Sequence, residues 1–318
     1  LARSPRALHH AARRITAWPM HADPAQPRRS GLPFALGAHL VWGLLPLYLR
    51  LVHVVPAFEF VSWRVLFTLP FCALFIAVRG QTGELLAALS NWKVLRMLML
   101  SALLIGTNWL VYVYAIQSGH VFAASFGYYM TPLLQVLAGT ILLKERLSPR
   151  QWGAVALSGV GVALLGWGQL DMLGISMAMA LSWLSYGFVR KIVPVGSVPG
   201  LTIETLVLAP LAIAGALWFA RSPAGSSFGH DVGLSLLIAC AGLVTAVPLL
   251  LFAIAARRMD FTVLGMLQFS SPTVVFLLGV TVFDKPLDHL QLASFAIIWA
   301  AIGLFVWDLV ARRNAAPA

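Results

Sequence analysis

The chain of 318 residues is 60% apolar (AVILMFWYC) and 10% charged, with a mean hydropathy of +0.86. Soluble domains carry about 25% charged residues, so the composition excludes an ordinary water-soluble fold; apolar spans of about 20 residues each leave no room for a separate catalytic domain. The net charge of +11 arises from 22 Lys and Arg against 11 Asp and Glu, and the basic residues lie mostly singly or in pairs between apolar runs, which reads as membrane topology and not as a nucleic-acid surface.

Residues 1–30 hold Arg3, Arg6, Arg13, Arg14, Arg28 and Arg29, four prolines and one acid, Asp23, and are expected to form a disordered basic arm. Met20, the first methionine, is the expected start of the protein. Ten apolar runs follow at roughly 31–52, 57–78, 94–116, 119–143, 152–168, 172–189, 199–220, 232–255, 261–283 and 289–310, and residues 311–318 form a short tail. Polar punctuations such as the segment 144–150, where charge and Pro149 end a helix, separate them. The expected fold is therefore an all-α integral membrane protein of ten transmembrane helices.

With the N-terminus in the cytoplasm, eighteen Lys and Arg fall on that side and only Arg50, Arg221 and Lys285 on the other; Arg64 lies within a span. The positive-inside rule then places both termini in the cytoplasm. Cys72 and Cys240 sit in separate apolar runs without metal-ligand spacing, so neither a disulfide framework nor a metal site is indicated. No His-Glu-x-x-His, Gly-x-Ser-x-Gly or Gly-x-x-x-x-Gly-Lys motif is present, so no enzyme, no cofactor and no ATP-driven step is expected of this chain.

Compared with itself at an offset of 140 residues, the chain aligns Arg50 with Arg190, Pro70 with Pro210, Pro132 with Pro272, Gly139 with Gly279, Gln151 with Gln291 and Trp167 with Trp307. It reads as two copies, 31–168 and 171–310, of five spans each. Because five is odd, the second copy enters the membrane from the opposite side; such inverted-topology repeats are an architecture of secondary transporters.

Several segments resemble a known family. His39-Leu40-Val41-Trp42-Gly43, Pro56-Ala57-Phe58-Glu59 before Ser62-Trp63-Arg64, Asn108-Trp109, and Ile203-Glu204-Thr205-Leu206 before Pro210 are similar to the RarD-type permeases, a branch of the drug/metabolite transporter superfamily built from two EamA domains. Tyr128-Tyr129-Met130-Thr131-Pro132 with Lys144-Glu145-Arg146-Leu147 resembles the end of a first EamA domain, and Ser271-Pro272 with Asp284-Lys285-Pro286-Leu287 the end of a second. The resemblance implies two five-helix EamA repeats in the bacterial inner membrane. Helices one to four of each half would surround a central cavity, and the protein would export small organic metabolites or drugs by alternating access. Its partners would be a small-molecule substrate and the lipid bilayer. The alternative is a membrane-embedded enzyme or lipid-handling protein, for which a polar catalytic cluster at one membrane face is expected and not found.

Arg64 lies about seven residues into the second span, and its counterpart at the 140-residue offset is Glu204. Ionisable groups at such depth are costly and normally face a cavity or a partner. Inversion separates the two by about 10–15 Å in depth, so they read as two sites on one path: Arg64 for an anionic group, Glu204 for an amine or a proton. The structural alternative pairs Arg64 with Glu59 and makes Glu204 a helix-start carboxylate. His39, ahead of Pro46, is a candidate proton relay or a hydrogen bond to a neighbouring helix. Asn108, Gln135 and Gln268 read as cavity lining or inter-helix bonds. Trp42, Trp109, Tyr128, Tyr129, Trp183 and Tyr186 read as cavity wall or interfacial anchors. Gly153, Ser158, Gly159 and Gly161 suit close helix packing or contact with a second copy in a homodimer.

Overall fold

The computed structural model describes residues 30–118, 120–167, 173–223, 225–282 and 289–315. The expected basic arm with Met20, the Asp284-Lys285-Pro286-Leu287 turn, the start of the second copy at 171 and the last residues of the tail lie outside the described residues.

All regular structure among the described residues is α-helical. Twelve helices follow one another: α1 Leu32–Leu51, α2 Ala57–Arg79, α3 Thr82–Ser90, α4 Trp92–Gln117, α5 Val121–Ile141, α6 Pro149–Leu165, α7 Leu173–Ile192, α8 Ser197–Ala220, α9 Val232–Arg258, α10 Phe261–Gln268, α11 Ser270–Thr281 and α12 His289–Ala315. Among the described residues, seven segments are long and apolar enough to cross a membrane: α1, α2, α4, α8, α9, α10 together with α11, and α12. The remaining apolar runs are also helical, as α5, α6 and α7; they carry more Gly, Ser and Tyr, and α6 has 17 residues. Two features escape the apolar pattern. The link after α2 contains a helix of its own, α3, and the ninth run is interrupted at Phe269.

Local chemistry explains the boundaries. α2 ends at Gly80, whose φ of 62° is the left-handed conformation that a glycine adopts without a Cβ clash, and the Gly80 and Gln81 amides bond back to Ala77 and Ile76 carbonyls. α6 begins with a capping box: Ser148 Oγ accepts from the Gln151 amide, and Gln151 Oε1 accepts from the Ser148 amide. Helix starts recur at the spacing at which the sequence matches itself, since α2 and α8 begin at 57 and 197, α4 and α9 at 92 and 232, α5 and α10 at 121 and 261, and α6 and α12 at 149 and 289.

The chain divides into two compact units, each built from both halves of the sequence. Unit 1 contains the described residues up to Phe34, with Leu47–Trp109 and Ser185–Arg258; unit 2 contains Ala35–Pro46, Leu110–Leu184 and the described residues from Met259. In unit 1, α2 packs along α8 and α9. Val94, Leu98, Val193, Val195 and Ile203 form one buried cluster there, and Val52, Val55 and Ile238 another. In unit 2, α6 packs along α12 and α5 along α10, around Phe126, Val155, Met266, Phe269, Ile298 and Phe305. α1 leaves Leu32, Leu36, Leu40, Leu44, Leu47 and Leu51 exposed at helical spacing, a stripe that hydrocarbon solvates and water does not.

Candidate functional site

In unit 1, Arg64 is the eighth residue of α2. Its Nε donates to Thr245 Oγ1 on α9 at 3.1 Å, and its guanidinium lies over the Trp109 ring, 4.6 Å from the centroid. This is a cation–π seat, which suits the planar and weakly hydrated guanidinium. Thr245 returns its own hydroxyl hydrogen to Ala241 O, so its oxygen is free to accept from the arginine. Val65, Thr68, Trp109, Leu201, Thr205, Leu208, Thr245 and Leu249 enclose a cavity with room for about one water molecule. Arg64 thus shares Thr245 and Trp109 with the cavity wall, to which α8 contributes Leu201, Thr205 and Leu208.

Glu204 and Arg190 are each 1% exposed. Arg190 Nη1 lies 3.3 Å from Glu204 Oε1, the same oxygen accepts from Ser101 Oγ at 2.6 Å, and Arg190 Nη2 donates to Ser197 O at 3.0 Å. A Cβ on Gly200 would collide with this guanidinium, so the glycine lets Arg190 lie against α8. Two buried atoms of the pair, Glu204 Oε2 and Arg190 Nε, have no hydrogen-bond partner among the described residues. Glu204 is the eighth residue of α8 and therefore lies beyond its first turn, so it does not act as a helix-start carboxylate.

The Glu59 carboxylate secures a loop. It accepts from Trp63 Nε1 at 3.2 Å, Ser226 Oγ at 2.6 Å, and the Ser227 amide and hydroxyl at 2.7 and 2.8 Å. Trp63 meanwhile packs against Phe228, with ring centroids 4.5 Å apart. Asn108 is fully buried in α4, and Tyr186 stacks on Phe252 at 6.3 Å.

In unit 2, His39 is buried, with Nδ1 3.2 Å from Ser271 Oγ on α11, while Ser271 Oγ donates to His39 O at 2.9 Å. A hydroxyl has one hydrogen, and here it goes to the carbonyl; the imidazole therefore donates from Nδ1. Trp42 follows on the same helix, 5.6 Å from the His39 ring and 5.1 Å edge-on from Trp183. Gln268 donates to Gln135 Oε1, and Gln135 Nε2 donates to Phe261 O at 3.1 Å, which ties α10 to α5. Tyr128 is partly exposed, its ring 6.4 Å from Tyr112, and Tyr129 packs edge-on to Phe295 at 5.7 Å. Among the described residues no group of His, Cys, Asp and Glu is placed to hold a metal ion.

Comparison with known proteins decides the family. Residues 29–167 match the EamA-like transporter family. An uncharacterized transporter of Pseudomonas aeruginosa is 39% identical over 280 residues, spanning 88% of this chain and 94% of that protein. Protein RarD of Escherichia coli is 36% identical over 288 residues, 90% of this chain and 97% of its own length. The chain is a RarD-type permease of the EamA family. A crystal structure that is 22% identical superposes with a TM-score of 0.70 over 89% of this chain and 99% of its own, which shows a shared fold.

As a RarD-type permease the chain is a multi-pass membrane transporter of the drug/metabolite superfamily. Of the residues singled out from its sequence, Arg64, Glu204 and Asn108 lie in unit 1, and His39, Trp42, Tyr128, Tyr129 and Gln268 in unit 2. Arg190 was legible only as a basic residue at a surface turn; in the permease it is buried as the partner of Glu204. The signal that could have found it is Glu204 itself, because a carboxylate inside a span needs a cation and Arg190 lies 14 residues upstream, across the turn between α7 and α8.

Proposed function

We propose that this permease is a secondary exporter of small organic molecules in the bacterial inner membrane, with both termini cytoplasmic. Its two five-helix repeats, 31–168 and 171–310, would be of inverted topology. They surround a central cavity and work by alternating access coupled to protons. The recurrence of helix starts at 140 residues supports the repeat, as does the packing of α2 on α8 and of α6 on α12, which are equivalent helices of the two copies.

The observation that carries the reading is the buried Arg190–Glu204 pair with its two partnerless atoms; α8, which carries Glu204, lines a small cavity whose wall includes Trp109 and Thr245, the two contacts of Arg64. Buried ionic groups inside a membrane protein mark substrate or ion pathways. In this reading Arg64, seated on Trp109, attracts an anionic group, and Glu204 takes an amine or a proton through Oε2. A cavity the size of one water admits no metabolite, so binding requires its helices to part. His39 serves as a proton relay, and Asn108, Trp42, Tyr128, Tyr129 and Gln268 line the path. One relative, in Pseudomonas aeruginosa and 28% identical, is named chloramphenicol-sensitive protein RarD, which places chloramphenicol among the compounds to test.

The test uses purified protein in liposomes preloaded with amino acids, nucleosides and chloramphenicol, with efflux followed by mass spectrometry with and without a pH gradient. The expected result is selective, saturable efflux by the wild type and loss of about tenfold or more in Arg64→Ala and Glu204→Gln at equal protein content, the effect of about 1.4 kcal/mol at a binding step. Wild-type rates in both variants would remove these residues from the path.

A further inference from the structure

Away from the residues assigned to transport, the start of α6 meets the end of α12 in unit 2 around an open cleft of about 490 Å³. It is lined by Ser148, Pro149, Arg150, Asp308, Ala311 and Arg312. Asp308, 2% exposed, forms its base: Oδ2 accepts from Ser148 Oγ at 2.7 Å and from Arg312 Nε at 3.2 Å, and Oδ1 lies 3.8 Å from Arg150 Nη1. One buried carboxylate thereby fixes two guanidinium groups whose side chains remain 62% and 58% exposed. Two positive charges face one negative charge, so the cleft keeps a net positive charge. Each guanidinium carries five N–H donors, and the carboxylate engages one nitrogen of each; the others form planar forks of the geometry that binds phosphate.

The surroundings of the two arginines are apolar. Arg150 lies over the exposed Trp307 ring at 5.1 Å, and Val306 and Val310 are exposed beside Trp307 on α12. An indole at the end of a spanning helix marks the boundary between headgroups and acyl chains. A phosphate seated on the arginines therefore has an apolar strip leading away from it along the helix.

We infer that this cleft binds the phosphodiester headgroup of an anionic phospholipid, with its phosphate between Arg150 and Arg312 and its acyl chains along Val306, Trp307 and Val310. Basic recesses between transmembrane helices bind such headgroups through this combination of charge and apolar surface. Free phosphate offers the same anionic chemistry; the apolar strip is what selects the lipid. The inference is independent of which substrate the permease carries.

The test is native mass spectrometry of the purified full-length protein in detergent, titrated with phosphatidylglycerol or phosphatidylcholine. The wild type should retain phosphatidylglycerol at about tenfold lower concentration than phosphatidylcholine. The double variant Arg150→Gln/Arg312→Gln should lose that preference, and Arg79→Gln, at the end of α2, should keep it. Trp307→Ala leaves Asp308 and both guanidinium groups in place and should also weaken retention, which keeps the test valid if the double variant unfolds. Equal retention of the two lipids by the wild type, an unchanged preference in both cleft variants, or displacement of the lipid by millimolar sodium phosphate would overturn the inference.

Discussion

Glu204 on α8 meets Arg190 near the end of α7, both buried, and losing one partner differs from losing both. Arg190→Met strands a buried carboxylate and is expected to cost about 3–5 kcal/mol, read as a large fall in the melting temperature of the detergent-solubilised protein. The double variant Arg190→Met/Glu204→Leu should recover most of that stability, because replacing a buried pair with apolar groups of similar volume is often neutral. Gly200→Ala should mimic part of the single loss by pushing the guanidinium off α8. Arg64→Lys is not a conservative change here: an ammonium cannot reproduce both the Thr245 bond and the stack on Trp109, and efflux should fall nearly as far as in Arg64→Ala. Arg64 and Glu204 were legible in the sequence because a charge inside an apolar run stands out. Their pairings were not, since Thr245 and Ser101 are ordinary members of other runs, and Trp109 stood out only as an aromatic, until the chain is folded.

Helix ends show the same division between near and distant information. The capping box at Ser148 and Gln151 can be read in four consecutive residues. The first two amides of α10 are instead taken by Glu145, Phe261 N to Oε1 at 2.7 Å and Thr262 N to Oε2 at 2.8 Å, from 116 residues away. The Gly196 amide at the start of α8 is taken by Glu84 Oε1 at 2.6 Å, from the unforeseen helix α3. A carboxylate at a helix start gains both hydrogen bonds and the favourable end of the dipole. Glu145→Ala should therefore destabilise the protein by about 2 kcal/mol and speed hydrogen exchange at the amides of 261 and 262, with Lys144→Ala as the silent control. Close crossings were also hidden: a Cβ on Gly127 would lie 2.7 Å from both Met179 Cβ and Ser176 O, so Gly127→Leu should force α5 and α7 apart and lower the yield of folded protein.

Among the described residues the apolar runs are helical, and seven segments are long and apolar enough to span a bilayer, where hydrocarbon demands an internally satisfied backbone. How those helices are shared between units is not a property of any run. α2 finds α8 and α6 finds α12, each across 140 residues of sequence, and α1 divides between the units along its own length. The proposed orientation predicts that a fluorescent protein fused to the C-terminus will fold and fluoresce, and that alkaline phosphatase fused there will be inactive; the reverse pattern would invert the topology.

The mixing of both sequence halves in each unit has a bearing on biogenesis. When the ribosome has released only the first 168 residues, Glu59 still lacks Ser226 and Ser227, Ser101 lacks Glu204, Gln135 lacks Phe261 and Ser148 lacks Asp308. In the nascent half those hydroxyls and carboxylates have yet to meet their partners, which lie in the segments still to emerge. These contacts each span more than 100 residues of sequence, the kind that slows folding. A chain stopped near residue 168 is therefore expected to be degraded faster than the full chain, which a pulse-chase comparison of the two would check.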